Sequence, residues 1–459
     1  MNQIPVSGIL LAIFLLFQLP IFAQSREERI KKEMDSLASA LPPRYNVQGV
    51  QMALYFKGST FLSSSGLTPD GPLTNDSLLR APDFLRPAVA ISLLACEKEK
   101  NGLSPQSGIE SLLPGYRNPF SQKNVLTLSF LLSDLSGIPA FASASAQRFE
   151  SIVPPGTLFI ESSFARGVAA DLLGSCSGES LSESLARYSS FSLLSSSGDS
   201  FRVSARGYLE FIKTLGKKKE IQGPIFAYDP ALGGSGPGVS YLNAGGGRYI
   251  LQVLDAGTGH SGLAAAFPDG SSIVIISAGA SPHLMRHIFR NIVKIMYDSD
   301  PAYASSHLLA AFGYPEEGRP LPDAAQFKDL EGFYRPIHAL PEDREFLAFL
   351  SDMQLSVSDS EGIELSSLIQ KKAAVRLIPL GDDLFVASGI VPMDGWHAKV
   401  RREAGEVTGI DMDLARYIKV SPILSGRGII VLLGLGVSLP FFILLAIVLR
   451  RKKKRLNIL

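Results

Sequence analysis

Two charged residues stand three apart at the head of an apolar run, Asp83 and Arg86 in "APDFLRPAVAISLLAC". A carboxylate at a helix start can accept backbone N–H groups, and it can also serve as a nucleophile or a base. The guanidinium one turn on cannot serve as a base, because it does not give up its proton near neutral pH. An acid that attacked an acyl group would form an anhydride, not an ester. The spacing therefore predicts a structural arrangement, with Asp83 capping the helix, bonding Arg86 and having its pKa lowered by that partner.

Other reactive side chains are as thinly supported. Glu161, in "FIESSFARG" with Ser163 two residues on, has the chemistry of a general base but no activated nucleophile or metal for it to serve, so an exposed or paired carboxylate is expected. His260-Ser261-Gly262 is a weak signal on its own, since strand packing accounts for a glycine there. His283 and His287 are four apart on a helical pattern, a spacing zinc uses, but no HExxH accompanies them and no metal is expected. No GxSxG elbow is present, and no lysine has a serine three residues before it; Thr214 to Lys217 comes nearest. No feature implies a cofactor.

The elements around these residues follow from hydrophobic periodicity. "REERIKKEMDSLASAL" reads as an amphipathic helix, and "VQGVQMALYFKG" with "STFLSSSG" as a hairpin turning at Lys57-Gly58. Helical spacing runs from Phe84 to about Lys100, and again through "NVLTLSFLLSDLSGIP" to Gly137. A helix is expected to end near Gly174, and "GRYILQVLDAG" and "SSIVIISAG" are strand-like on either side of "HSGLAAAF". The amphipathic helix "SPHLMRHIFRNIVKIMYDS" follows. Strands at both ends with helices between predict an α+β unit whose antiparallel sheet joins N-terminal and C-terminal strands. Beyond a Pro/Gly-rich linker at 313–326, residues 327–420 alternate as short strands, which predicts a small β domain.

Five segments, in order, resemble the β-lactamase-related serine hydrolases of the penicillin-binding-protein superfamily, especially the class C-like branch. They are the opening hairpin, "SLLRAPDFLRPAVAISLLAC" as the nucleophile helix, "LTLSFLLSDLSGIP", "PPGTLFIESSFARGVAADLLG" and "GHSGL". The resemblance covers about Arg29 to Tyr297. It implies a β-lactamase/DD-peptidase-like antiparallel sheet flanked by helices, with a serine and a lysine at the positions of Asp83 and Arg86. It implies a Tyr-x-Asn where Glu161-Ser162-Ser163 stands, and a His where Asp134 stands. Only His260-Ser261-Gly262 keeps the family's pattern, which makes these three the ligand-binding candidates.

Both ends carry targeting signals. Residues 1–23 hold an apolar run ending in Ile21-Phe22-Ala23, read as a signal peptide, with an uncleaved anchor as the alternative. Residues 428–449 are uncharged over about 22 positions, enough to span a bilayer as a helix, and the basic tail 450–459 should stay cytoplasmic. The net charge of +1 includes that tail, and the remainder is mildly acidic, which gives no reason to expect nucleic acid as a partner. Cys96 falls in the apolar repeat "AVAISLLAC" and is expected as a buried free thiol, not bonded to Cys176.

These readings converge on a single-pass protein of the bacterial cytoplasmic membrane, its globular part outside the cytoplasm, with a dismantled active site. The expected role is binding or regulation in the cell envelope, with a cell-wall peptide or acyl compound as ligand. Two alternatives stand beside it: a hydrolase using Asp83 or Glu161, and a scaffold built on the small β domain.

Overall fold

The computed structural model describes most of residues 25–297 and 324–425, leaving out chiefly 140–148, 192–200, 338–351, 359–361, 368–373 and 389–396. The signal segment 1–23, the apolar run 428–449, the tail 450–459 and most of the 313–326 linker lie outside the described residues. No described helix is long and apolar enough to cross a membrane.

Helix α1 (Arg26–Arg44) starts on a reciprocal cap: the Ser25 side chain accepts the Glu28 N–H and Glu28 returns the bond. The chain then runs through β1 (Gly49–Phe56), β2 (Ser59–Thr68) and the short β3 (Gly71–Pro72). After the helical middle come β4 (Gly234–Gly236), β5 (Val239–Gly245), β6 (Arg248–Gly257), β7 (His260–Ala266) and β8 (Ser272–Ala278). They form one antiparallel sheet in the order β3-β2-β1-β8-β7-β6-β5-β4. The first long strand and the last pair along their whole length, from Gly49 opposite Ala278 to Tyr55 opposite Ser272. "HSGLAAAF" is thus a central strand and not only a connection between strands.

Alternation along β1 divides the core. Val50, Met52, Leu54 and Phe56 pack with α1 and with α7 (Pro282–Tyr297), whereas Ala53 faces the opposite layer. That second layer holds α2 (Arg86–Asn101), α3 (Leu128–Leu132), α4 (Ser163–Ser177), α5 (Leu181–Ser189) and α6 (Ala205–Leu215). Helix α3 is much shorter than the sequence pattern suggests. It stops before Asp134, which takes a left-handed backbone (φ 57°) and turns its carboxylate to Arg86.

The free-thiol expectation for Cys96 is wrong. Cys96 of α2 and Cys176 of α4 form a disulfide across 80 residues of chain. An apolar helix face explains a buried cysteine equally well whether or not a second cysteine faces it, and here α2 and α4 pack directly on each other.

Eight further strands close into a barrel, from β9 (Gly332–Pro336) through β10 (Met353–Ser358), β11 (Gly362–Ser367), β12 (Ala374–Gly381), β13 (Leu384–Ser388), β14 (His397–Glu403) and β15 (Glu406–Met412) to β16 (Ala415–Val420). Pairing of β9 with β16 completes the ring. Inward residues such as Leu355, Leu365, Phe385, Val400 and Met412 fill it.

Candidate functional site

Asp83 does not cap helix α2. A 3-10 turn, Pro82–Leu85, runs straight into the helix at Arg86, so Asp83 sits inside a continuous turn. Its own backbone N–H is turned away and donates to Asp255 Oδ2 of β6 at 3.0 Å. That amide at a helix entrance would suit a developing oxyanion, but it is occupied by the chain's own carboxylate.

The expected Asp83–Arg86 bond is also absent among the described contacts. Arg86 is tied to Asp134, which is almost fully buried. Asp83 Oδ1 instead accepts from Arg166 Nη1 at 2.9 Å, and Arg166 Nη2 bonds Glu161 Oε1 at 2.5 Å. Arg166 also lies 3.6 Å from Asp134. Burial raises the Asp83 pKa and outweighs the lowering by Arg166 and Arg86, opposite to the shift expected from a close pair. Burial would raise Glu161 as well, but Arg166 beside it outweighs that and holds the carboxyl below its usual range.

Arg166 was not singled out by sequence, although the spacing carries the signal. Ser162 caps α4 by accepting the Ala165 N–H at 3.1 Å, which fixes the helix start. One turn on, the Arg166 side chain reaches back across that start to the residues on either side of the cleft. Ser163, the first residue of α4, is exposed.

His260, Ser261 and Gly262 are brought next to Asp83 by β7, but they face inward. His260 Nε2 lies 2.9 Å from Asp255 Oδ1, and the pair is almost fully buried. Ser261 belongs to a buried serine network, 2.9 Å from Ser277 Oγ and accepting the Ser281 N–H at 2.9 Å. Gly262 is required by close approach, since a Cβ there would lie 2.8 Å from the Phe84 ring. Phe84 in turn stacks on Tyr208, whose hydroxyl donates to the Phe84 carbonyl at 2.8 Å. Asp255 is the second residue that sequence reading missed. Burial, with Asp83 close by, pushes its pKa up to about 7.

The centre thus holds Asp83, Asp134, Glu161 and Asp255 against Arg86 and Arg166. Neither guanidinium can take a proton, and each carboxylate is engaged by a partner. No group of three or more metal-ligating side chains occurs among the described residues. Tyr-x-Asn occurs literally at Tyr116-Arg117-Asn118 and Tyr241-Leu242-Asn243, and both tyrosines hold local structure: Tyr116 bonds Ser151, and Tyr241 donates to the Ile221 carbonyl.

The helix layer packed on an antiparallel sheet is an arrangement shared with solved structures. A class C β-lactamase aligns with a TM-score of 0.50 at 13% identity, covering 61% of this chain and 98% of its own. The chain has a β-lactamase-like fold. SurE aligns with a TM-score of 0.52 at 14% identity, covering 86% of this chain and 100% of its own. SurE solved with D-Leu aligns with a TM-score of 0.51 at 16% identity, covering 85% of this chain and 100% of its own. The SurE coverage is too large for the sheet domain alone, so it extends into the barrel. No protein family and no curated protein matches the chain by sequence.

Proposed function

We propose that this chain is a non-catalytic protein of β-lactamase-related fold, exported and anchored in the bacterial cytoplasmic membrane, that binds a ligand or regulates in the cell envelope. The observation that carries the loss of chemistry is the Arg166 fork. The residue at the nucleophile position and the one at the tyrosine position are bonded to a single guanidinium, 2.9 and 2.5 Å away. A cleft whose nucleophile-position carboxylate is tied to a guanidinium offers no free nucleophile, yet it retains polar side chains for noncovalent contact. A peptide-like or acyl compound is the ligand class that suits the fold, and SurE was solved with D-Leu. Anchoring rests on the uncharged run 428–449 ahead of a basic tail. Export is supported by residues 1–23 and by the disulfide, a bond at home in oxidising compartments.

The test is incubation of the full chain in detergent with a fluorescent penicillin and a chromogenic acyl ester, beside Asp83→Ala and Glu161→Ala. No covalent labelling and no turnover are expected. Turnover abolished by either substitution would overturn the reading in favour of an unorthodox hydrolase.

A further inference from the structure

The outer face of the barrel carries a cross-strand row that is only partly open to water. Lys399 of β14 pairs in register with Asp411 of β15, and Asp411 with Arg416 of β16. Their neighbours Ala398, Val400, Ile410, Met412 and Tyr417 fill the barrel, so alternation sets the row outside. An aspartate on a barrel exterior is ordinarily hydrated, yet Asp411 is 1% exposed. Arg416 grips it with two bonds, 2.8 and 2.9 Å long, and lies over the ring of Tyr228, its Cζ 4.8 Å from the centroid. Arg416 Nη2 also donates to the Tyr228 carbonyl at 3.3 Å, and Lys399 lies 3.0 Å from Asp229. Tyr228 and Asp229 belong to the sheet domain, ahead of β4.

The far end of Tyr228 touches the cleft. Its hydroxyl oxygen accepts the Phe159 N–H at 3.3 Å, while the next amide, Ile160, donates to the Asp134 carbonyl at 2.7 Å. Successive amides of an extended segment point in opposite directions, so the strip leading to Glu161 is held on one side by the cleft floor and on the other by Tyr228. We propose that the barrel is a wall of the site, with Arg416 and Tyr228 as positioning residues that set the strip from Phe159 to Glu161. The barrel fixes Arg416 through Asp411, Arg416 fixes the Tyr228 ring, and the Tyr228 hydroxyl fixes the strip. This coupling does not depend on what the cleft binds.

Hydrogen exchange of the full chain in detergent tests it. Tyr228→Phe keeps the ring under Arg416 and removes only the acceptor. Exchange in peptides covering Phe159 to Glu161 should rise about fivefold, the effect of losing one ordinary hydrogen bond, with barrel peptides and the melting temperature unchanged. Arg416→Lys, which keeps a cation over the ring, should preserve more of the strip's protection than Arg416→Met. Unchanged exchange at Phe159 to Glu161 in Tyr228→Phe overturns the proposal. So does a loss of protection in that variant that appears equally across both domains, since that reports general destabilisation.

Discussion

Arg166 satisfies two acids at once, the half-buried Asp83 and the exposed Glu161. Arg166→Ala would leave Asp83 and Glu161 facing each other without the cation between them. We expect it to destabilise the fold by about 2 kcal/mol, the scale of a hydrogen bond to a charged group, read as a shift in the urea midpoint at constant slope. Asp255 gives a prediction of opposite character. Its folded pKa, about 7, lies above its ordinary value of 3.8, so between those limits the folded chain binds a proton that the unfolded chain releases. Stability from this group is therefore highest near pH 4 and falls as pH rises toward 7. The difference in unfolding free energy between the wild type and Asp255→Asn should narrow or reverse over that window; a pH-independent difference would assign Asp255 an ordinary ionisation. At this scale sequence pointed to the right helix start but the wrong partners. Asp83 and Arg86 are three apart, which suggests a local pair, whereas each finds its real counter-ion from a distant segment, Arg166 and Asp134. Local spacing carries no information about contacts made across 83 and 48 residues.

Elements were more legible because periodicity is local. The β1–β2 hairpin, α2 and α7 follow the apolar spacing, and the pairing of β1 with β8 follows from having strands at both ends of the domain. The short α3 did not, since the left-handed turn at Asp134 answers to an arginine elsewhere. Helices α2 and α4 carry the two sides of the cleft and are covalently joined by Cys96–Cys176. Closing a loop of that length restricts the unfolded chain by about 4 kcal/mol. Replacing both cysteines by alanine should lower the thermal midpoint by several degrees, and reduction of the wild type should match it. Equal midpoints with and without reductant would mean that the thiols are not joined. Gly262→Ala probes the facing wall: its methyl would press on Phe84, and overpacking of about 1–3 kcal/mol should loosen the 3-10 turn that carries Asp83.

Across the whole molecule, composition and the two apolar runs suggested the order of parts, and the alternating pattern in 327–420 suggested strands. Closure of those strands into a ring was not readable, because it depends on β9 meeting β16, more than 70 residues apart. Nor was the contact between Tyr228 and Arg416, each of which looks like an ordinary surface residue in its own segment. The full chain should resist carbonate extraction from membranes, and a chain ending at Ser425 should be released; retention of the shorter chain would move the anchor elsewhere.

The last strand of the ring has a bearing on biogenesis. Until β16 is made, β9 and β15 both present unpaired edges, each a template for joining another chain. A nascent or clipped product ending before Ala415 would therefore be prone to intermolecular strand exchange, and it would also lack Arg416. Completion of the barrel and its seating beside the cleft are the same late event, so a protease that trims those few residues would undo both at once.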